Sequence, residues 1–263
     1  MSPQRLCIGF GATFFDTLGI GSFAPTTALF RMRRLVDDEL IPGTLNVGFA
    51  LPVMLQATIF IRAVAVDKLT LVAMIAAAVL GGWLGAGVVT RMPRDSIRMG
   101  MGVALLLAAV VMISMNLDWL PGGGNEVGLR GLKLGVAVAA NFVFGALMTL
   151  GIGLFAPCMI AVSLLGMDPV VAFPIMMGSC AILMPVAGVR FVRSGRYDRP
   201  AALGLTVGGL PAVLVAVYIV TSLPMEWMRW LVAIVVLYTA LDMIRSALRQ
   251  PFAVNSIRAA FRR

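Results

Sequence analysis

The chain has 263 residues, of which 60% are apolar and only 13% charged, and its mean hydropathy is +0.98. That balance excludes an ordinary soluble domain, where charged residues make up about a quarter of the chain, and points to an all-α polytopic integral membrane protein. The net charge of +9 is no nucleic-acid signal, because the basic residues fill short gaps between apolar runs, where cytoplasmic loops carry them.

The first apolar stretch, Cys7–Phe30, holds one charge, Asp16, followed at once by Thr17-Leu18-Gly19-Ile20-Gly21-Ser22-Phe23-Ala24-Pro25. Asp16 would interrupt the core of a signal peptide, so this stretch is expected in the mature fold. Glycine and proline at this density break a helix. Three continuous spans are expected next, at Ile41–Val66, Leu69–Val89 and Met99–Leu117. Pro121-Gly122-Gly123-Gly124 marks a loop within 118–131. A second broken stretch, Leu132–Leu165, is followed by spans at Val170–Phe191, Ala201–Ser222 and Trp227–Leu248. Residues 251–263 form a basic tail.

The breaker occurs twice. Thr149-Leu150-Gly151-Ile152-Gly153-Leu154-Phe155-Ala156-Pro157 repeats the first copy with one change, 132 positions later. Asp67 and Asp198 each precede a long apolar run, and Pro93, Asp95 and Arg98 are echoed by Pro224, Glu226 and Arg229, both at an offset of 131. The chain therefore divides into a first repeat (1–117), a loop (118–131), a second repeat (132–250) and the tail. Each repeat is a broken segment plus three transmembrane helices. If the broken segments cross the membrane, the side holding both termini carries 14 basic residues against 7; if they enter and return on one side, the tally is 16 against 5. The positive-inside rule favours re-entrant hairpins, inverted repeats and cytoplasmic termini. Duplicated broken helices meeting at the midplane are a mark of secondary transporters.

A Gly-Ile-Gly turn between helical arms frees backbone N–H groups, and the following arm adds the positive end of its dipole. Together they suit an anion without a charged side chain. Thr17, Gly19, Gly21, Ser22, Pro25 and Thr26 from the first copy, with Thr149, Gly151, Gly153 and Pro157 from the second, are the expected substrate-binding residues. Close helix packing by small residues is the competing reading. Asp16 is a candidate proton carrier, since an intramembrane carboxylate marks an ion pathway by default; a fixed partner for Arg62 or a helix cap are its alternatives. Arg62 itself fits snorkelling to the interface. Asn46 and Gln56 are expected to line the cavity, while Thr58, Asn141, Ser163 and Ser179 fit hydrogen bonds between helices.

Cys7, Cys158 and Cys180 lack metal-ligand spacing and read as buried small residues. The 18 methionines read as flexible filler, and Trp119, Trp227 and Trp230 fit an interfacial belt. The absence of histidine removes the commonest general base and metal ligand. No phosphate-binding Gly-x-x-x-x-Gly-Lys loop occurs. Neither an enzyme, a metal nor a cofactor is expected.

Phe15-Asp16-Thr17-Leu18-Gly19-Ile20-Gly21 followed by Pro25, Asn46 with Ala57-Thr58-Ile59-Phe60-Ile61-Arg62, and Leu164-Leu165-Gly166-Met167-Asp168-Pro169-Val170-Val171-Ala172 resemble segments of the sulfite exporter TauE/SafE family. The resemblance implies a bacterial inner-membrane permease with duplicated halves, exporting sulfite, a sulfonate or a related small anion in a proton-coupled manner. Its partners would be that anion, protons and membrane lipid, with no nucleic acid and with homo-oligomerisation open. The first turn has two glycines where the family often has more, and Met148 stands where the second copy would carry the acid. A passive anion channel is the alternative.

Overall fold

The computed structural model describes residues 2–37, 39–89, 124–148 and 154–222, together with isolated helical positions between 99 and 117 and between 227 and 245. Helices α1 (Pro3–Thr17), α2 (Phe23–Arg33), α3 (Ile41–Gly48), α4 (Ala50–Ala63) and α5 (Lys68–Val89) precede the loop; α6 (Gly131–Met148), α7 (Phe155–Leu164), α8 (Ala172–Ser194) and α9 (Arg199–Ser222) follow it. Among the described residues there is no strand, only an isolated bridge between Glu126 and Met167. Four stretches there are long and apolar enough to cross a membrane: Ile41–Ala63, Gly131–Met148, Ala172–Ser194 and Arg199–Ile219. The expected spans Met99–Leu117 and Trp227–Leu248 lie largely outside the described residues.

Both ends of the α1–α2 segment lie together. Arg5, in the first turn of α1, donates through Nη2 to the Leu35 carbonyl just past α2, at 3.2 Å. The same nitrogen is 3.8 Å from Asp198 Oδ1, at the head of α9. Asp198 in turn donates its N–H to Thr44 Oγ1 on α3 at 2.9 Å and caps α9 by accepting from the Ala201 N–H at 2.7 Å. A polar cluster therefore ties four elements at one end of the molecule.

The other end repeats the device. Asp67 caps α5, accepting from the N–H and hydroxyl of Thr70, both at 2.9 Å. Arg130, just before α6, grips the same carboxylate with Nη2 at 2.8 Å from Oδ1 and Nη1 at 3.3 Å from Oδ2. The Asp67 N–H bonds to the Val127 carbonyl at 2.8 Å, and the Asp168 N–H, past the end of α7, bonds to the Glu126 carbonyl at 3.0 Å. α3 and α4, 23 residues together, separate the two clusters by roughly 34 Å.

Small residues set the helix spacing. α1 lies along α9, and α5 along α6. A Cβ added at Gly9 would sit 2.7 Å from the Gly204 carbonyl oxygen, and one at Gly208 would strike the Leu6 carbonyl. Between α5 and α6, Gly81 meets the Phe142 carbonyl and Gly145 meets that of Ala78. Backbones that close exclude lipid and gain dispersion contact along the seam. α4 packs on α8 in the middle, where Phe60 stacks on Phe173 at 5.1 Å between ring centroids.

Candidate functional site

The first break occupies Leu18–Ser22, between α1 and α2. Gly19 and Gly21 take φ of 93° and 87°, the left-handed region that costs most residues but not glycine. The Gly19 N–H bonds to the Asp16 carbonyl at 2.8 Å and the Ile20 N–H to that of Phe15 at 3.1 Å, ending α1 cleanly. The chain then restarts at Ser22, which heads α2 without making a side-chain cap.

The last turn of α1 carries the polar residues inward. Thr13, Asp16 and Thr17 are all buried because spacings of three and four put them on one helical face. The Thr17 hydroxyl donates to the Thr13 carbonyl at 2.8 Å. That leaves its oxygen free to accept from Gln56 Nε2 at 2.7 Å. The same nitrogen is 3.3 Å from Asp16 Oδ2. Since a carboxylate only accepts, the Gln56 amide nitrogen must face it. Ser22 faces the carboxylate from the other side, with its backbone and its hydroxyl, although the hydroxyl lies outside good hydrogen-bond geometry.

Thr13 Oγ1, Ser22 Oγ, Thr26 Oγ1 and Gln56 Oε1 are buried and unpartnered among the described residues. Each such group costs about 1–3 kcal/mol when left dry and unmet. Ser22 and Gln56 stand at the carboxylate itself, Thr26 lies one turn into α2 from Ser22, and Thr13 turns its hydroxyl toward Gly209 on α9. The opposite wall of the break is soft. Met159 Cε and Met176 Cε crowd Gly19, and Cys180 Sγ lies 3.8 Å from Met148 Sδ.

The structure thus brings Asp16, Thr17, Gly19, Ser22, Thr26 and Gln56 into one region. Pro25, in the first turn of α2, is half-buried, and Gly21 has open space beside its Cα. Asn46 stays apart: its Nδ2 bonds back to the Pro42 carbonyl at 2.9 Å. Pro157 is buried in α7, while Thr149, Gly151 and Gly153 lie outside the described residues. Arg62 does not serve Asp16. It lines a separate, mostly apolar cavity of about 350 Å³ with Met54, Thr58 and Ile182.

Thr58, Ser163 and Ser179 bond to carbonyls four residues back in their own helices, whereas Asn141 crosses from α6 to the Met74 carbonyl on α5 at 2.7 Å. Cys158 and Cys180 are buried as expected, but Cys7 is exposed. Among the described residues no cluster of histidine, cysteine, aspartate or glutamate could hold a metal. The sequence reading missed Thr13, although its spacing of four from Thr17 was the available signal. It also missed the two arginine–aspartate clusters.

No match was found among curated proteins or solved structures. The family model described as Sulfite exporter TauE/SafE matches residues 133–262, which begin in α6 and include α7, α8 and α9. That family consists of membrane transporters and not of enzymes. Through this match residues 133–262 are identified as a sulfite exporter TauE/SafE segment, carried by an integral membrane protein with helices long and apolar enough to cross a membrane.

Proposed function

We propose that the chain is a secondary transporter that exports a small anion, sulfite or an organosulfonate, with protons as the coupling ion. The observation that carries this reading is the buried cluster at the first break, where Asp16, Gln56 and unpartnered hydroxyls surround the start of α2. Backbone donors and the helix dipole at α2 suit an anion, and Asp16 supplies a group that can take up and release a proton. Gly151 and Gly153 would supply the opposing donors from the second half.

The fold in this reading is a pair of inverted repeats, each a re-entrant hairpin plus three spans. The opening arm of each half packs on the second span of the other, α1 on α9 and α6 on α5. An aspartate heads each of these second spans and meets an arginine at the start of the opposite arm, Asp198 with Arg5 and Asp67 with Arg130. Each hairpin begins and ends beside its own cluster, which favours entry and return on one side. With 16 of the 21 basic residues on the side of both termini, that side faces the cytoplasm of a bacterial inner membrane. Alternating access then rocks one part of the protein against the other around the breaks.

The test is anion accumulation in proteoliposomes under an imposed pH gradient, comparing sulfite, sulfate, a small sulfonate and a carboxylate. Gradient-driven accumulation of a sulfur oxyanion is expected, lost in a folded Gly19→Val variant, whose side chain would be strained at φ 93° and would strike Met159. Flux that only runs down the anion's own gradient would make the protein a channel.

A further inference from the structure

The start of α2 already faces an anion, and it is the protein's own. Asp16 sits six residues before Ser22 and reaches back across the break, so that its carboxylate meets the Ser22 backbone and hydroxyl on one side and Gln56 Nε2 on the other. Those are the donors that an incoming oxyanion would need. We propose that ionised Asp16 is a tethered plug in the anion site, and that substrate binds only when Asp16 is protonated, so that one proton crosses with each anion in the same direction.

The chemistry of the surroundings favours competition over coexistence. No lysine or arginine acts on the carboxylate among the described residues. Two full negative charges in a dry pocket served only by neutral donors repel strongly. The groups facing Asp16 from its neighbours are Ser22 on the α2 side, Gln56 on α4 and the buried thiol of Cys180 on α8, with Cys158 on α7 beyond it. None supplies a compensating positive charge. Protonation changes the balance twice: it removes the repulsion, and it turns the carboxyl from an acceptor into a donor aimed at the same space. The unpartnered hydroxyls of Ser22, at the head of α2, and of Thr26, one turn into it, both buried, are then free to donate to the arriving oxyanion.

The balance is simple. Ionised Asp16, one proton from solution and one anion give protonated Asp16 with the anion bound. For a monovalent anion the loaded site gains no net charge over the empty ionised one. Outward flux would carry protons outward, driven by the anion's own gradient.

This inference rests on the anion site proposed above, and binding at equilibrium separates the two. The probe is methanesulfonate, whose charge is constant across the working pH range, titrated calorimetrically into the purified full-length protein in several buffers. The wild type is expected to take up one proton per anion bound on the alkaline side, with Kd rising tenfold per pH unit there. Asp16→Asn, neutral at every pH, is expected to bind without proton uptake and without pH dependence. Binding by the wild type with no proton uptake, or unchanged uptake in Asp16→Asn, overturns the plug and leaves the anion site standing. Absence of binding by folded wild type at every pH overturns both.

Discussion

The two apolar stretches that carry the Gly-Ile-Gly sequence differ in chemistry where their first helices end. In the first, α1 ends in Asp16 and Thr17, which meet Gln56 across the α4 interface. In the second, α6 ends in Met148, whose sulfur meets the Cys180 thiol. The seams and end clusters around them correspond: α1 on α9 with Arg5 and Asp198, and α6 on α5 with Arg130 and Asp67. What the two regions have in common is therefore support, and what distinguishes them is the buried polar chemistry at Asp16. A carboxylate needs donors and carries a desolvation cost wherever it is buried, whereas glycine seams cost little to keep twice.

Three substitutions sharpen that contrast. Gly81→Leu attacks the common scaffold and should have the largest effect. Its side chain would run into the Phe142 backbone carbonyl, which cannot swing aside as a side chain would. A loss on the order of 3 kcal/mol or more is expected, read as a lower thermal midpoint in detergent; an unchanged midpoint would mean that the α5–α6 seam does not hold the fold. Gln56→Leu attacks the distinctive chemistry. It removes the donor that serves both Asp16 and Thr17, at a cost of about 1.5–3 kcal/mol, and it should shift the pH profile of transport, which the first change should not do in whatever fraction still folds.

Arg130→Gln should have the smallest effect, because the arginine is exposed. Asp67 is held below its ordinary value of 3.8 by the backbone N–H and hydroxyl of Thr70 and then by Arg130. A carboxylate whose pKa is lowered on folding contributes stability that is complete above 3.8 and fades as pH falls through the folded value. The variant should therefore resemble wild type in acid, where Asp67 is protonated, and fall slightly below it at neutral pH. A deficit confined to acid would contradict the assignment.

Much of this was legible in the sequence because it rests on local rules. Apolar length marks the spans, and a Gly-x-Gly followed by proline marks the breaks. The partner of Asp16 was not legible, since Gln56 lies 40 residues away and only folding brings them together. Asn46 shares a span with Gln56 but sits ten residues earlier, about 15 Å along the axis and on another face, so its amide turns back to Pro42. Cys7 was assigned to the interior on residue type alone, yet in a membrane helix the lipid-facing side is apolar too. The expected spans beyond Val89 and beyond Ser222 fall largely outside the described residues.

The pairing of α1 with α9 and of α5 with α6 has a consequence for biogenesis. α1 is finished at Thr17, but the helix it lies against starts only at Arg199. Throughout most of translation the side of α1 that carries Leu6, Gly9 and Thr13 has no α9 to lie against, and α5 likewise waits for α6. The α1–α9 seam therefore closes late in synthesis. Until α9 is made, quality-control machinery would meet a nascent chain whose first membrane segment leaves its small-residue seam at Gly9 uncovered.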